Sequence, residues 1–153
     1  MASFFNLTSN YSLYTIPAAW VVALAPHAVT LALAKSIDKT APRTYAKSLE
    51  SDQTLDKATK AKIHRCEGAQ TNGFENIGLF AAAVIAGNIA GLPAETLNTL
   101  SGGYILSRIV YNYIYITGTT EAMASARTLA FFAGIGQVFA LFIKSGNALR
   151  NRI

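Results

Sequence analysis

Four long stretches of the chain are apolar and nearly free of charge, and each is long enough to form a membrane-spanning helix. The first covers 14–34 without a charged residue, and similar runs cover 76–94, 97–118 and 126–143. A helix needs about 20 residues to cross the hydrocarbon core, because it rises about 1.5 Å per residue. The pattern predicts an all-α, integral membrane four-helix bundle with helices close to residues 14–36, 62–92, 97–118 and 122–145.

Glycine and proline mark the connections between the later helices. Gly-Leu-Pro-Ala at 91–94 and Thr-Gly-Thr-Thr at 117–120 are typical of short turns, so consecutive helices should be antiparallel neighbours. At 153 residues the chain predicts a single membrane domain over 1–153, with one long loop at about 37–61.

The distribution of charge sharpens this picture. Only 14% of the residues are charged, against about 25% in an ordinary soluble domain. Residues 2–34 carry no charge, whereas eight of the 13 lysines and arginines lie within 35–65. A basic stretch beside a membrane-length run is typical of a loop at the bilayer surface and disfavours nucleic acid as a partner. By the positive-inside rule, the first loop should be cytosolic.

Ionisable side chains inside the second and third spans are the most informative residues. Charges in a membrane are costly and usually face the bundle interior or a water-filled cavity. We therefore expect Glu75 and Arg108 to be buried in the bundle or at a subunit interface. Tyr104, Arg108, Tyr111 and Tyr115 recur at spacings of four, three and four, which places them on one helix face.

Two interpretations of these polar stripes remain open. Glu75 and Arg108 could form a buried ion pair that only fixes helix register, with the tyrosines as packing residues. Alternatively, amide, carboxylate, guanidinium and hydroxyl groups near one membrane surface could bind a small zwitterionic ligand. A metal site is disfavoured, because the single cysteine, Cys66, and the two histidines do not lie at ligand spacing.

Three short motifs resemble those of one membrane family. Residues 65–80 contain Asn72, Glu75 and a following Leu-Phe pair, 107–118 contain Arg108 and Tyr111, and 125–127 read Ser-Ala-Arg. In this order they resemble the MAPEG family, the membrane-associated proteins in eicosanoid and glutathione metabolism. The resemblance extends over about residues 14–143. It implies a homotrimer in the endoplasmic reticulum membrane, with glutathione bound between subunits near the cytosolic face.

The resemblance also implies two groups of site residues. Those expected to bind glutathione are Arg65, Asn72, Glu75, Arg108 and Tyr111. Those expected to act on its thiol are Arg127 and Tyr115. One position departs from the pattern: Gly68 stands where the synthases usually carry an arginine that meets a glutathione carboxylate. Arg65 or Lys35 could substitute for it.

The implied function is a glutathione-dependent transferase or peroxidase acting on a hydrophobic electrophile or a lipid hydroperoxide. Arg127 would favour the thiolate, helped by the partial positive charge of a nearby helix N-terminus. Two alternatives are a glutathione-assisted isomerase or cyclase and a non-catalytic, lipid-binding scaffold.

Overall fold

The described part of the chain is built from helices. The computed structural model describes residues 9–34 and 49–151, and all regular structure within these ranges is helical. A 3-10 turn at Ser12–Tyr14 leads into α1 (Thr15–Leu33), which is followed by α2 (Lys57–Ile89), α3 (Ala94–Thr117) and α4 (Glu121–Arg150). Within these ranges the prediction of an all-α fold with four long helices is confirmed. Much of the predicted loop at 37–61, together with Lys35, lies outside the described residues, and its cytosolic location stays a prediction.

The largest differences from the predicted helix boundaries are at the start of α2 and the end of α4. α2 begins at Lys57 rather than at 62, because Asp56 caps it: its Oδ1 accepts a hydrogen bond from the Thr59 amide at 2.6 Å. The same hydrogen bond holds the pKa of the Asp56 carboxyl below its usual value. α4 continues to Arg150 rather than 145, so its last turns extend past the apolar run.

The turns between the later helices follow from glycine and proline, as predicted. After α2, Gly91 adopts a φ of 66°, and the Leu92 amide donates to the Gly87 carbonyl at 3.0 Å. This left-handed glycine closes the helix in a Schellman turn, and Pro93 is the N-cap of α3. Thr120 caps α4 by accepting a hydrogen bond from the Met123 amide. Both turns make neighbouring helices antiparallel.

The bundle interior combines aromatic stacking with close helix contacts. Phe80 of α2 stacks on Tyr104 of α3 with ring centroids 4.0 Å apart, at the centre of the buried cluster. α1 approaches α2 closely at Gly73, where an added Cβ would lie 2.8 Å from the Cβ of Ala23. Small residues at such crossings are the usual means of packing helices in a membrane.

Two helices have the length and composition to cross a membrane by themselves. Among the described residues these are Ser12–Leu33, which includes α1, and Glu121–Arg150, which is α4. Large apolar side chains such as Trp20, Phe132 and Phe139 lie exposed on their surfaces. α2 and α3 are also long enough, at 33 and 24 residues, but they carry Glu75 and Arg108.

One end of the bundle, where α2 meets α3 and α1 begins, is joined by a network of amides and hydroxyls. Asn10 Nδ2 donates to Asn88 Oδ1 at 2.6 Å, and Asn88 Nδ2 donates to Ser12 Oγ at 3.0 Å. Asn98 Oδ1 accepts from the Tyr11 amide at 2.8 Å. We call Asn10, Ser12, Asn88 and Asn98 the amide cluster. It ties the start of α1 to the α2–α3 turn.

Candidate functional site

Arg108 lies at the centre of the polar groups at the opposite end of the bundle. Its side chain is 4% exposed, and its Nη2 donates to Asn72 Oδ1 on α2 at 2.6 Å. Its Cζ lies 4.3 Å from the centroid of the Tyr111 ring, a cation–π distance. The predicted burial of Arg108 is confirmed. Its hydrogen-bond partner, however, is a neutral amide and not a carboxylate.

A second arginine–tyrosine stack lies next to the first. The Arg127 Cζ of α4 lies 4.3 Å from the centroid of the Tyr115 ring of α3. Tyr115 in turn meets Tyr111 edge to face, with centroids 5.5 Å apart. Both Arg127 and Tyr115 are half-buried. The two guanidiniums are thus held on two adjoining aromatic rings.

We call Asn72, Arg108, Tyr111, Tyr115 and Arg127 the cationic cluster. An open cleft of about 250 Å³ lies against it, lined by Asn72, Tyr111, Tyr115, Arg127, Thr128 and Phe131. Thr128 and Phe131 were not predicted. Phe131 follows Arg127 by four residues and shares its helix face, so that spacing could have identified it. The cleft therefore has a polar floor and an aromatic edge.

The electrostatic character of the cleft is positive. Neither Arg108 nor Arg127 forms a salt bridge with a carboxylate among the described residues, and no acidic side chain lines the cleft. Guanidiniums without a carboxylate partner in a partly desolvated cleft favour anions there. The arrangement suits a ligand with carboxylate or thiolate groups.

Glu75 does not line the cleft, and it is not buried within the bundle of this single chain. The side chain is exposed on this chain, and it is not among the residues that line the cleft. Glu75 follows Asn72 by three residues and is therefore turned about 60° away from it on α2. With Asn72 facing α3, Glu75 points outward. The predicted alternative, burial at a subunit interface, stays a prediction.

Arg65 lies at a helix end instead of in the cleft. Its Nε donates to the Ile116 carbonyl at 3.1 Å, one of the last carbonyls of α3, which the helix itself cannot satisfy. The neighbouring position that departs from the family pattern has a clear steric role. A Cβ at Gly68 would lie 2.6 Å from the Tyr115 hydroxyl, so glycine leaves room for that hydroxyl.

The position of Arg127 along α4 bears on the expected contribution of the helix N-terminus, which stays a prediction. α4 begins at Glu121, so Arg127 lies in its second turn, and Glu121 itself occupies the first turn. The partial charge of a helix end falls off within one turn.

One family profile matches nearly the whole sequence. The sequence profile described as the MAPEG family matches residues 11–147 of the 153. The chain belongs to the MAPEG family. No curated protein and no solved structure matches it. MAPEG membership and the two apolar helices indicate an integral membrane protein related to glutathione or eicosanoid metabolism. MAPEG proteins typically use glutathione as substrate or cofactor, and some members are not enzymes.

Proposed function

We propose that this MAPEG protein is a glutathione-dependent membrane transferase or peroxidase acting on a hydrophobic electrophile or a lipid hydroperoxide. The observation that carries the proposal is the open cleft of about 250 Å³ in which Arg127 and Tyr115 stack beside Asn72 and Tyr111. An uncompensated cation beside a phenol hydroxyl is suited to a thiolate.

Activation of the thiol is the chemical task of Arg127 and Tyr115. A free thiol has a pKa near 8.5, so at neutral pH only a few per cent is ionised. A guanidinium beside the sulfur favours the anion, and each pKa unit corresponds to about 1.4 kcal/mol. The Tyr115 ring holds Arg127 at the cleft wall, and the Tyr115 hydroxyl donates a hydrogen bond to the sulfur.

The rest of the tripeptide is bound by the floor of the cleft. Asn72 and Tyr111 offer amide and hydroxyl groups to the peptide backbone. Arg108 lies beneath them and supplies positive charge against the carboxylates. Arg65 donates from its Nε to the Ile116 carbonyl, and its Nη groups remain the donors proposed for a glutathione carboxylate.

Glu75 fits the site only in an assembly. As an exposed acidic side chain one turn along α2 from Asn72, it can meet the glutathione amino group from across a subunit boundary. This supports a homotrimer, the assembly implied by the resemblance, with glutathione between neighbouring subunits. Residence in the endoplasmic reticulum with the first loop in the cytosol is part of the same proposal.

The second substrate enters from the bilayer. Phe131 forms the aromatic edge of the cleft, and Leu129 and Phe132 beside it are exposed on α4. In transfer, the thiolate sulfur bonds to the electrophilic carbon and the leaving group departs with its electron pair. In peroxide reduction, the thiolate attacks a peroxide oxygen, the O–O bond breaks and a lipid alcohol leaves with a proton. A second glutathione then reduces the sulfenic acid to a disulfide and water.

Turnover by the purified protein in lipid nanodiscs tests the proposal. We expect consumption of an aryl halide or a lipid hydroperoxide only when glutathione is present, with S-methylglutathione as the inactive control. Product formed without net loss of thiol would instead indicate an isomerase or cyclase. No turnover, together with a melting temperature unchanged by millimolar glutathione, would contradict a role for glutathione.

A non-catalytic scaffold is the second candidate, and the contact of Gly68 with Tyr115 favours it. The position that carries a carboxylate-binding arginine in the synthases is here covered by the Tyr115 hydroxyl. A scaffold of this kind would bind lipid in the cleft, and lipid would protect it against unfolding where glutathione would not.

A further inference from the structure

Pro26 leaves one carbonyl of α1 without its usual donor. Proline has no amide hydrogen, so the carbonyl four residues earlier, that of Val22, has no partner within the helix. Asn112 of α3 supplies one, because its Nδ2 donates to the Val22 carbonyl at 2.8 Å. Such donation from a neighbouring helix is how proline is accommodated in membrane helices.

This bond fixes the orientation of the Asn112 amide. Only the NH₂ group can donate to a carbonyl, so Oδ1 must point the other way. Asn112 is 8% exposed, and its Oδ1 has no hydrogen-bond partner among the described residues. The same holds for Nη1 of Arg108, the nitrogen that does not bind Asn72. A buried acceptor and a buried donor are thus both unsatisfied by the described protein groups.

Both residues line the same small cavity between α1, α2 and α3. Its volume is about 10 Å³, and its lining comprises Ala19, Val22, Ala23, Gly73, Ile77, Tyr104, Arg108 and Asn112. A volume of about 10–15 Å³ with at least two polar partners is what one buried water molecule requires. The lining of this cavity shares no residue with the lining of the cleft.

We propose that one water molecule occupies this cavity, accepts a hydrogen bond from Arg108 Nη1 and donates one to Asn112 Oδ1. Asn112 is then a positioning residue for Arg108. The guanidinium is held from two sides, by the water on the α1 side and by Asn72 on the cleft side. Pro26 is the origin of this arrangement, because it leaves the Val22 carbonyl free to accept from Asn112 and so orients the Asn112 amide.

A structure of the wild-type protein in nanodiscs, at a resolution that shows ordered water, tests the site directly. We expect one density peak within about 3.2 Å of both Arg108 Nη1 and Asn112 Oδ1. The same map of Asn112→Leu, a nearly isosteric change, should lack the peak and show Arg108 in another rotamer. A direct bond between Arg108 and Asn112, or an unoccupied cavity in the wild type, would overturn the proposal.

A matched pair of variants separates the two functions of Asn112. Pro26→Ala restores an amide donor for the Val22 carbonyl, so Asn112 is no longer needed there. We then compare Pro26→Ala with Pro26→Ala/Asn112→Leu by glutathione affinity and by melting temperature. If Asn112 positions Arg108, the double variant should bind glutathione about three- to tenfold more weakly, the effect of about one hydrogen bond. Equal affinities would show that Asn112 serves only the Val22 carbonyl and would overturn its positioning role.

The affinity measurement rests on the proposed function, whereas the density measurement does not. If the wild type binds no glutathione, the proposed function fails. The water peak and the Arg108–Asn72 distance in the two structures then decide the present inference alone.

Discussion

The amide cluster and the cationic cluster occupy opposite ends of the same bundle. They differ in charge and in whether their polar groups have partners within the chain. In the amide cluster, Asn88 donates to Ser12 and accepts from Asn10, and every group involved is neutral. In the cationic cluster, Arg108 and Arg127 carry charge without a carboxylate partner among the described residues, and a cleft opens beside them.

The difference separates two uses of polar residues in a membrane bundle. A neutral network whose donors and acceptors match stabilises the fold and needs nothing further. Charges are costly in a bilayer and are usually functional. The anion that the cationic cluster lacks is therefore expected to come from a ligand. Changes in the two clusters should affect different measurements.

Arg127→Ala should have the largest effect. If Arg127 stabilises the thiolate, its removal lowers turnover by about ten- to a thousandfold, comparable with the loss of one electrostatic contact in other enzymes. The loss should shrink as the pH rises toward about 8.5, where the thiol ionises unaided. Arg150→Ala, in the last turn of the same helix, is the control and should keep wild-type turnover. Unchanged turnover of Arg127→Ala at pH 6.5 would assign Arg127 to lipid headgroups.

Asn88→Ala should show the reverse pattern. It removes the bonds to Asn10 and Ser12, so we expect the free energy of unfolding to fall by about 1–2 kcal/mol. Glutathione affinity and turnover should not change, because the cationic cluster lies at the other end of the bundle. Thermal unfolding in detergent measures the first effect, with the exposed Asn147→Ala as control. A large loss of turnover in Asn88→Ala would mean that the two ends are coupled.

Gly68→Ala should affect stability and activity in different ways. Alanine gains up to about 1 kcal/mol over glycine inside a helix, yet its Cβ would displace the Tyr115 hydroxyl. We expect equal or higher melting temperature and several-fold lower turnover. Gly78→Ala on the same helix is the matched control, because nothing lies within 4 Å of its added Cβ. Equal turnover in the two variants would exclude a catalytic role for the Tyr115 hydroxyl.

The smallest effect should come from acidification at Asp56, remote from both clusters. Its pKa is lowered from 3.8 by the hydrogen bond from Thr59, so the charged form stabilises the first turn of α2. That contribution is present above pH 3.8 and is lost as the pH falls through the lower pKa of the folded state. Hydrogen exchange at the Thr59 amide, corrected for its intrinsic rate, should speed up in that range. Asp56→Asn keeps the cap without the titration and should show no such change.

Much of the fold could be predicted because membrane helices depend on run length and turn residues. The boundary near 91–94 followed from a left-handed glycine and a proline, which act locally. The start of α2 was placed too late, because its charged first turns resemble a loop until the Asp56 cap is recognised. Charged residues do not end a helix where it continues beyond the bilayer into water.

The site was predictable only in part, because it depends on how the helices are rotated. Arg108, Tyr111 and Tyr115 share a face by spacing alone, and they do meet. The spacing of polar residues along α2 does not show which of them face α3, so it did not separate Asn72, which bonds to Arg108, from the exposed Glu75. Asn112 was missed, although a proline inside an apolar helix signals a carbonyl that needs a donor from elsewhere.

The tight turn at Gly91 also bears on how the chain enters the membrane. α1 and α4 are apolar enough to partition into lipid alone, whereas α2 and α3 carry Glu75 and Arg108. A Schellman turn of only a few residues joins α2 to α3, so neither helix can enter the membrane far ahead of the other. We expect the insertion machinery to receive them as a single hairpin, with the Arg108–Asn72 hydrogen bond already closed between them. The contact between Asn72 and Arg108 beside the cleft would then form before α4 packs against it.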